Sequence, residues 1–311
     1  MVEDNQIKAQ VSPFAIREGE IKTFDGKDGY VSMNQIVHKI NIGHINEIHF
    51  AILDLVNEFE FITSRQLYQM LLIKGIDPKS QDKLNNKLEQ LVKSKILTRY
   101  YFTSDEGKGI YRIYCLEKMG KYLLTSKEIE CKWQPSDNTK PVAMIKKRLA
   151  GNQILIAYLR KVKAFDSYTV KPAINAKVSG KLFKASGGAV KLTKNNKSIQ
   201  FVFEVIRREA DWQKKAIDKM RLYKEFYESF VPGDSGFSGM PQLIFICEDE
   251  KHMAETFKEI VTNGVEIPQI KLYFTTDLRQ NKDTLEETLV EFKLVEGKYK
   301  MENIELKLLG M

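Results

Sequence analysis

The chain is poor in the residues that hold small stapled or metal-bound folds together. Its 311 residues include three cysteines, four histidines and two tryptophans. Cys115, Cys131 and Cys247 are odd in number and far apart, which argues against a disulfide framework. Cys115 and Cys247 sit in apolar, strand-like runs, where a thiol behaves as a small hydrophobe. His38, His44, His49 and His252 show no ligand spacing, so no metal and no cofactor is expected. No apolar run reaches the roughly 18 residues of a membrane-spanning helix. The opening MVEDNQIKAQ is polar and acidic, unlike a secretory leader, and with the unpaired cysteines it points to the cytoplasm. A Walker loop, a Gly-x-Ser-x-Gly elbow and a Rossmann fingerprint are all missing, and SGKLFKASGG lacks P-loop spacing. There is no internal repeat.

What is present is a basic, ordinary-sized core. Hydrophobic residues make up 43% and the formal net charge is +8, a modest bias toward polyanionic partners. The length predicts two domains. Residues 1–43 are polar and glycine-punctuated and form an arm with no assignment. Residues 44–126 are the first domain, 127–141 a polar, proline-ended linker, and 142–311 the second domain.

The order of elements in 44–126 predicts a winged helix-turn-helix. Ile45, Ile48, Ile52, Leu55 and Phe59 recur at helical spacing. Thr63 with Gln66 forms a capping box for a second helix that buries Leu67, Met70 and Leu71 and closes at Gly75. Asp77 and Pro78 read as the cap and first position of a third helix. Two β-rich runs, 97–103 and 110–116, flank a Ser-Asp-Glu-Gly-Lys-Gly turn and are followed by a short helix over 117–124. In the third helix Leu84, Leu88 and Leu91 face the core. Lys79, Asp82, Lys83, Asn86, Gln90 and Lys93 then face outward, with Lys87 flanking. Lysine matches phosphates and guanine, and Asn and Gln match adenine edges in the major groove. Arg99, Lys108 and Arg112 lie in or beside the wing, where phosphate contacts are expected. Double-stranded DNA is therefore the expected partner, with protein docking by a winged helix as the competing reading.

The second domain reads as α-β-β-β-α-β. A helix runs from about Pro141 to Val162, facing Ile145, Leu149, Ile156 and Leu159 inward. Residues 166–175 read as a strand, and two further strands join at Asn195-Asn196, the second nearly all apolar and hence central. A helix over 210–230, a strand over 242–247, a helix over 251–261 and a strand over 270–275 complete a mixed sheet with flanking helices. The fold class is thus α+β.

This order is similar to the core of PD-(D/E)xK nucleases. With the winged helix and the stretch FVFEVIRREADWQKKAIDKMRLYKEFY, the chain resembles the replication-relaxation family of plasmids and conjugative elements. Glu204, Arg207, Lys219 and Tyr223 match the family's pattern, while Ile206 stands at its acidic position. The resemblance implies a DNA-associated role in replication, relaxation or transfer of a bacterial element.

Nuclease chemistry needs an Asp on the second strand and Glu-x-Lys on the third to hold a divalent cation. Here the second-strand dipeptide reads Pro172-Ala173, and Ile206 occupies the lysine position. The expectation is a chain without enzymatic activity, in which Glu204 pairs with Arg207 or a helix lysine. Were it a nuclease, Glu204 and Lys219 would carry the site, with Lys214, Lys215 and Asp166 as substitutes. Lys171, Lys181, Lys184, Lys191 and Lys194 form an expected secondary basic surface, in a stretch that also holds Lys177 and Lys197. The overall expectation is a sequence-preferring duplex-binding accessory protein of a mobile element. A replication or transfer protein is its expected partner, and a homodimer is compatible. The alternatives are a metal-dependent nuclease with migrated residues, a transcriptional regulator and a docking protein that leaves DNA untouched.

Overall fold

The computed structural model describes residues 11–104, 107–108, 111–195, 197–281, 285, 288–296 and 298–305, the side chains of 107 and 108 excepted. Three helices, α2 (Glu47–Phe59), α3 (Ser64–Ile73) and α4 (Gln81–Lys93), precede a hairpin of β3 (Leu97–Ser104) and β5 (Ile113–Leu116), which α5 (Lys118–Ser126) closes. A two-residue strand β4 (Gly107–Lys108) pairs antiparallel with the end of β3, and β2 (Ile62–Thr63) pairs with β5. These elements follow in the order that the sequence predicts. The Thr63 hydroxyl accepts from the Gln66 amide at 3.2 Å and the Gln66 side chain accepts from the Thr63 amide at 3.2 Å, so the capping box forms.

Three local expectations change. The third helix begins at Gln81, capped by the Ser80 hydroxyl, because Asp77 instead folds back on the Lys79 amide at 2.7 Å and Lys79 turns left-handed at φ 71°. The unassigned arm is partly ordered: β1 (Ile21–Phe24) pairs antiparallel with β3 and widens the wing sheet, and α1 (Met33–Asn41) follows. The stretch read as a linker folds as a 3-10 turn over Pro135–Thr139, where the Asn138 amide donates to the Leu116 carbonyl at 2.9 Å.

The second sheet has seven strands in the order β14-β13-β12-β11-β10-β9-β6. Its members are β6 (Phe165–Thr169), β9 (Gly188–Lys194), β10 (Lys197–Val205), β11 (Gln242–Cys247), β12 (Leu272–Thr276), β13 (Leu289–Val295) and β14 (Lys298–Ile304). Strands β10, β11 and β12 run parallel and the remaining pairs antiparallel. The strand read over 166–175 is broken: β6 stays in the sheet, while β7 (Ala173–Ala176) pairs with β8 (Lys181–Lys184) as a separate hairpin. Pro172 lies at the break, since proline has no amide to donate to a ladder. Helices α7 (Trp212–Glu228) and α8 (Glu250–Thr262) cover one face; the meander β13–β14 lies beyond the elements that the pattern shows.

Helix α6 (Val142–Lys161) covers the other face. It is buried from almost every side, with Ile145, Leu149, Ile154, Leu155 and Tyr158 all at 0% exposure, because it has the sheet on one flank and the winged half on the other. One apolar cluster therefore runs from Ile52 and Leu67 through Leu149 and Tyr158 to Phe203. Polar bonds fix the junction: the Gln66 amide donates to the Leu149 carbonyl at 2.8 Å, and the Asn152 amide donates to the Phe61 carbonyl at 2.7 Å. Gly151 lets the helix approach the start of β9, since a Cβ there would stand 2.7 Å from Gly187 Cα.

Asn152 is fully buried, so Asn152→Leu strands the Phe61 carbonyl away from water. The expected loss is about 1–3 kcal/mol of unfolding free energy, read as a lower urea midpoint at unchanged slope. An unchanged midpoint would mean that this bond does not secure the junction.

Candidate nucleic-acid interface

Helix α4 is amphipathic, and Leu84, Leu88 and Leu91 pack at 0% exposure. The opposite face leaves Lys83, Asn86, Gln90 and Lys93 exposed and Lys87 half-buried. Gln90 is partly committed, because its Oε1 lies 3.0 Å from His49 Nε2. Burial pushes the His49 pKa down, partly offset by that bond to Gln90. Lys93 pairs loosely with Glu89 at 3.7 Å, and Lys79, in the preceding turn, pairs with Asp77 at 3.2 Å. Such exposed pairs contribute little, so both ammonium groups remain available to an anion.

Arg99 is a correction. It is only 8% exposed, with its guanidinium 2.5 Å from Glu89 and 2.9 Å from Asp25. The Arg99 hydrogen bond holds the Glu89 carboxyl below its usual range. Asp25 follows β1, the strand missing from the sequence reading, and Arg112 shares it at 3.2 Å while staying half-exposed. Arg99 thus fastens the arm to the wing and leaves the phosphate-contact set. The Lys108 side chain lies outside the described residues.

In the sheet, Phe203 and Val205 face α6 and Val202 faces α7, so strand alternation turns Glu204 toward α7. There it is 5% exposed. It accepts from the Ser186 hydroxyl at 2.7 Å and the Tyr223 hydroxyl at 2.8 Å, and Lys219 Nζ stands 3.6 Å away. Burial and the neighbouring Glu204 push the Tyr223 pKa well up, keeping the phenol a donor. Lys219 also donates to the Lys184 carbonyl at 2.6 Å. Glu204, Lys219 and Tyr223 thus converge. Ser186 was missed: in the register Phe203 opposes Gly188, so the Ser-Gly-Gly run before β9 lies beside Glu204, and Pro172-Ala173 belongs to the separate hairpin. Asp166 does not join, because it pairs with Lys191 at 3.0 Å and accepts from Thr193 at 3.0 Å. Lys215 is held by Glu209 at 2.8 Å. Among the described residues, no three His, Cys, Asp or Glu side chains form a group that could hold a metal ion. Glu204 alone does not make a divalent-cation site from protein atoms, so no metal-borne step is assigned to it.

Arg207 is the second correction. Three residues beyond Glu204 in extended chain, it points to the other face. It is fully buried and pairs with Asp277 at 2.8 Å, at the carboxyl ends of β10 and β12. This end of a parallel sheet is the usual ligand crevice. Here the segment 12–20 fills it: Ser12 donates to Asp277, the Ile16 amide donates to Glu248 at 3.3 Å, and Lys146 binds the Ala15 carbonyl and Glu20. His252 sits alongside at 0% exposure, with its Nδ1 accepting from the Glu248 amide at 3.3 Å and its Nε2 unpartnered.

The expected secondary surface is not one patch. Lys171 pairs with Glu60 near the winged half, Lys181 and Lys184 belong to the β7–β8 hairpin, Lys191 pairs with Asp166, and Lys194 ends β9.

No protein-family model and no curated protein matches the chain. Among solved structures it is similar to the restriction endonuclease FokI, at 10% identity over 75% of this chain and 43% of that one, with a TM-score of 0.28. The chain therefore spans less than half the length of FokI. Glu204, Tyr223 and Lys219 converge in one buried cluster, and the expectation of a chain without enzymatic activity is withdrawn. No helix among the described residues is long and apolar enough to cross a membrane.

Burial, with Arg208 and Arg207 nearby, pushes the His252 pKa down to about 3. The imidazole is neutral when folded but takes a proton when unfolded below pH 6.5, so stability falls with acid between pH 6.5 and 3. His252→Gln should flatten the decline of the urea midpoint between pH 6.5 and 4.5 by the equivalent of about 2 kcal/mol. Parallel profiles for the two proteins would sink this assignment.

Proposed function

We propose that the chain binds duplex DNA through α4 and the wing, as an accessory protein in the replication, relaxation or transfer of a bacterial mobile element. The observation that carries the DNA reading is the exposed Lys83, Asn86, Gln90 and Lys93 surface on a helix whose other face is locked in the core. Lys79, Lys87 and Arg112 flank it. The element context rests on the similarity of Glu204, Lys219 and Tyr223 to the replication-relaxation pattern. In an anisotropy titration with duplex DNA, Lys83→Ala with Asn86→Ala should weaken binding about tenfold and flatten the salt slope by about 0.9 for the phosphate lost with Lys83. An unchanged affinity and slope would remove α4 from the interface.

The cluster of Glu204, Ser186, Lys219 and Tyr223 favours a second reading, in which the sheet half cleaves the DNA that the winged half holds. Supercoiled plasmid incubated with Mg²⁺ or Mn²⁺ should then be nicked by the wild type and spared by Glu204→Gln. Cleavage by neither protein, or equally by both, would rule this reading out.

A further inference from the structure

Between the winged half and α6 lies a cleft of about 1510 Å³. That exceeds the roughly 300–1,000 Å³ of a small-molecule pocket and suits an extended ligand. Its charged lining is Arg65 on α3, Arg112 on the wing, Arg160 and Lys161 on α6, and Asp277. Asp277 is already neutralised by Arg207 and bonded to Ser12, so the surface offered to a ligand is cationic. Arg65 on α3 and Arg160 on α6 are both exposed. Tyr68 and the amide side chains of Gln81 and Asn85 line the same cleft.

Gln81 and Asn85 belong to α4 but lie roughly half a turn around its axis from Lys83, Asn86 and Gln90. A duplex seated on the outer face of α4 therefore does not meet them. The guanidinium groups in the lining match a phosphate backbone and a phenol ring offers a stacking face. Gln81 Nε2 donates to the Ser64 carbonyl at 3.3 Å and to Asn85 Oδ1 at 3.2 Å, and the Gln81 oxygen and Asn85 nitrogen match base edges. We infer that this cleft binds single-stranded DNA, at a site separate from the duplex-reading face of α4. The unpaired strand would run between Arg65 and Arg160 with a base against Tyr68.

The test uses the full chain and three labelled probes in anisotropy titrations: an oligo-dT strand, an abasic strand of equal length, and a duplex. Arg65→Ala with Arg160→Ala should weaken oligo-dT binding about tenfold and flatten its salt slope by about 1.4, the loss of two single-strand phosphate contacts. Duplex affinity should stay within about twofold, and Lys83→Ala with Asn86→Ala should show the reverse pattern. The abasic strand should bind several-fold more weakly than oligo-dT. Three results would each overturn the proposal: no oligo-dT binding at low salt, an abasic strand held as tightly as oligo-dT, or a double arginine variant that loses duplex and single strand alike. Failure of the α4 variant alone would count against the duplex reading and leave the cleft standing.

Discussion

Everything in this molecule depends on one helix having no free side. A 20-residue helix in water ordinarily hides one stripe and wets the rest. Helix α6 gives both flanks to protein, and so joins the winged half and one face of the seven-stranded sheet in one apolar core, while α7 and α8 pack a second core on the other face. That burial forces its polar residues to find partners. Lys146 takes Glu20 and Arg148 donates to the Val170 carbonyl at 3.0 Å, while Asn152 takes the Phe61 carbonyl. Each bond reaches a different part of the chain, so the helix sets where the arm, the first β-turn of the sheet half and the winged half must lie.

The same constraint explains why charge in the sequence is a poor guide to charge at the surface. Arg99 and Arg207 look like two more cations in a basic chain. Each is instead consumed by a carboxylate far away in sequence, Asp25 and Asp277 respectively. A guanidinium with partners on its fork is satisfied in a low-dielectric interior, and removing the partner leaves an expensive uncompensated charge. These pairs act as tethers for the arm and for the sheet's carboxyl edge.

Much of the fold was legible because it obeys short periods. The helical stripe of α2, the Thr63–Gln66 cap, the Asn195 turn and the apolar strand β11 all follow from neighbours within a few residues. The start of α4 misled because Asp77 and Ser80 are both good caps three residues apart, and only the left-handed Lys79 decides between them. The strand over 166–175 misled because its alternation carries on past Val170 while the chain leaves the sheet. Ser186 is not legible in the sequence for a chemical reason: the nuclease pattern is one of carboxylates and a lysine, and a hydroxyl supports Glu204 as a donor instead. Arg99 and the filled crevice depend on residues 12–25, a stretch with no periodicity to read.

That filled crevice bears on where a ligand can go. In an open sheet the carboxyl ends of parallel strands ordinarily leave a gap that substrates use. Ser12, Ala15 and Ile16 bond to Asp277, Lys146 and Glu248 at that edge, and Tyr111 of the wing half holds the segment down by donating to the Pro13 carbonyl at 2.9 Å. Binding there would have to break several buried polar bonds at once, each costly to leave unmade. Exposed cations stand instead on the outer face of α4 and along the cleft beside α6, and these are reached without unmaking any of those bonds. On the reading proposed above, nucleic-acid contact therefore lies away from the sheet's edge, at the seam between the two halves beside α6.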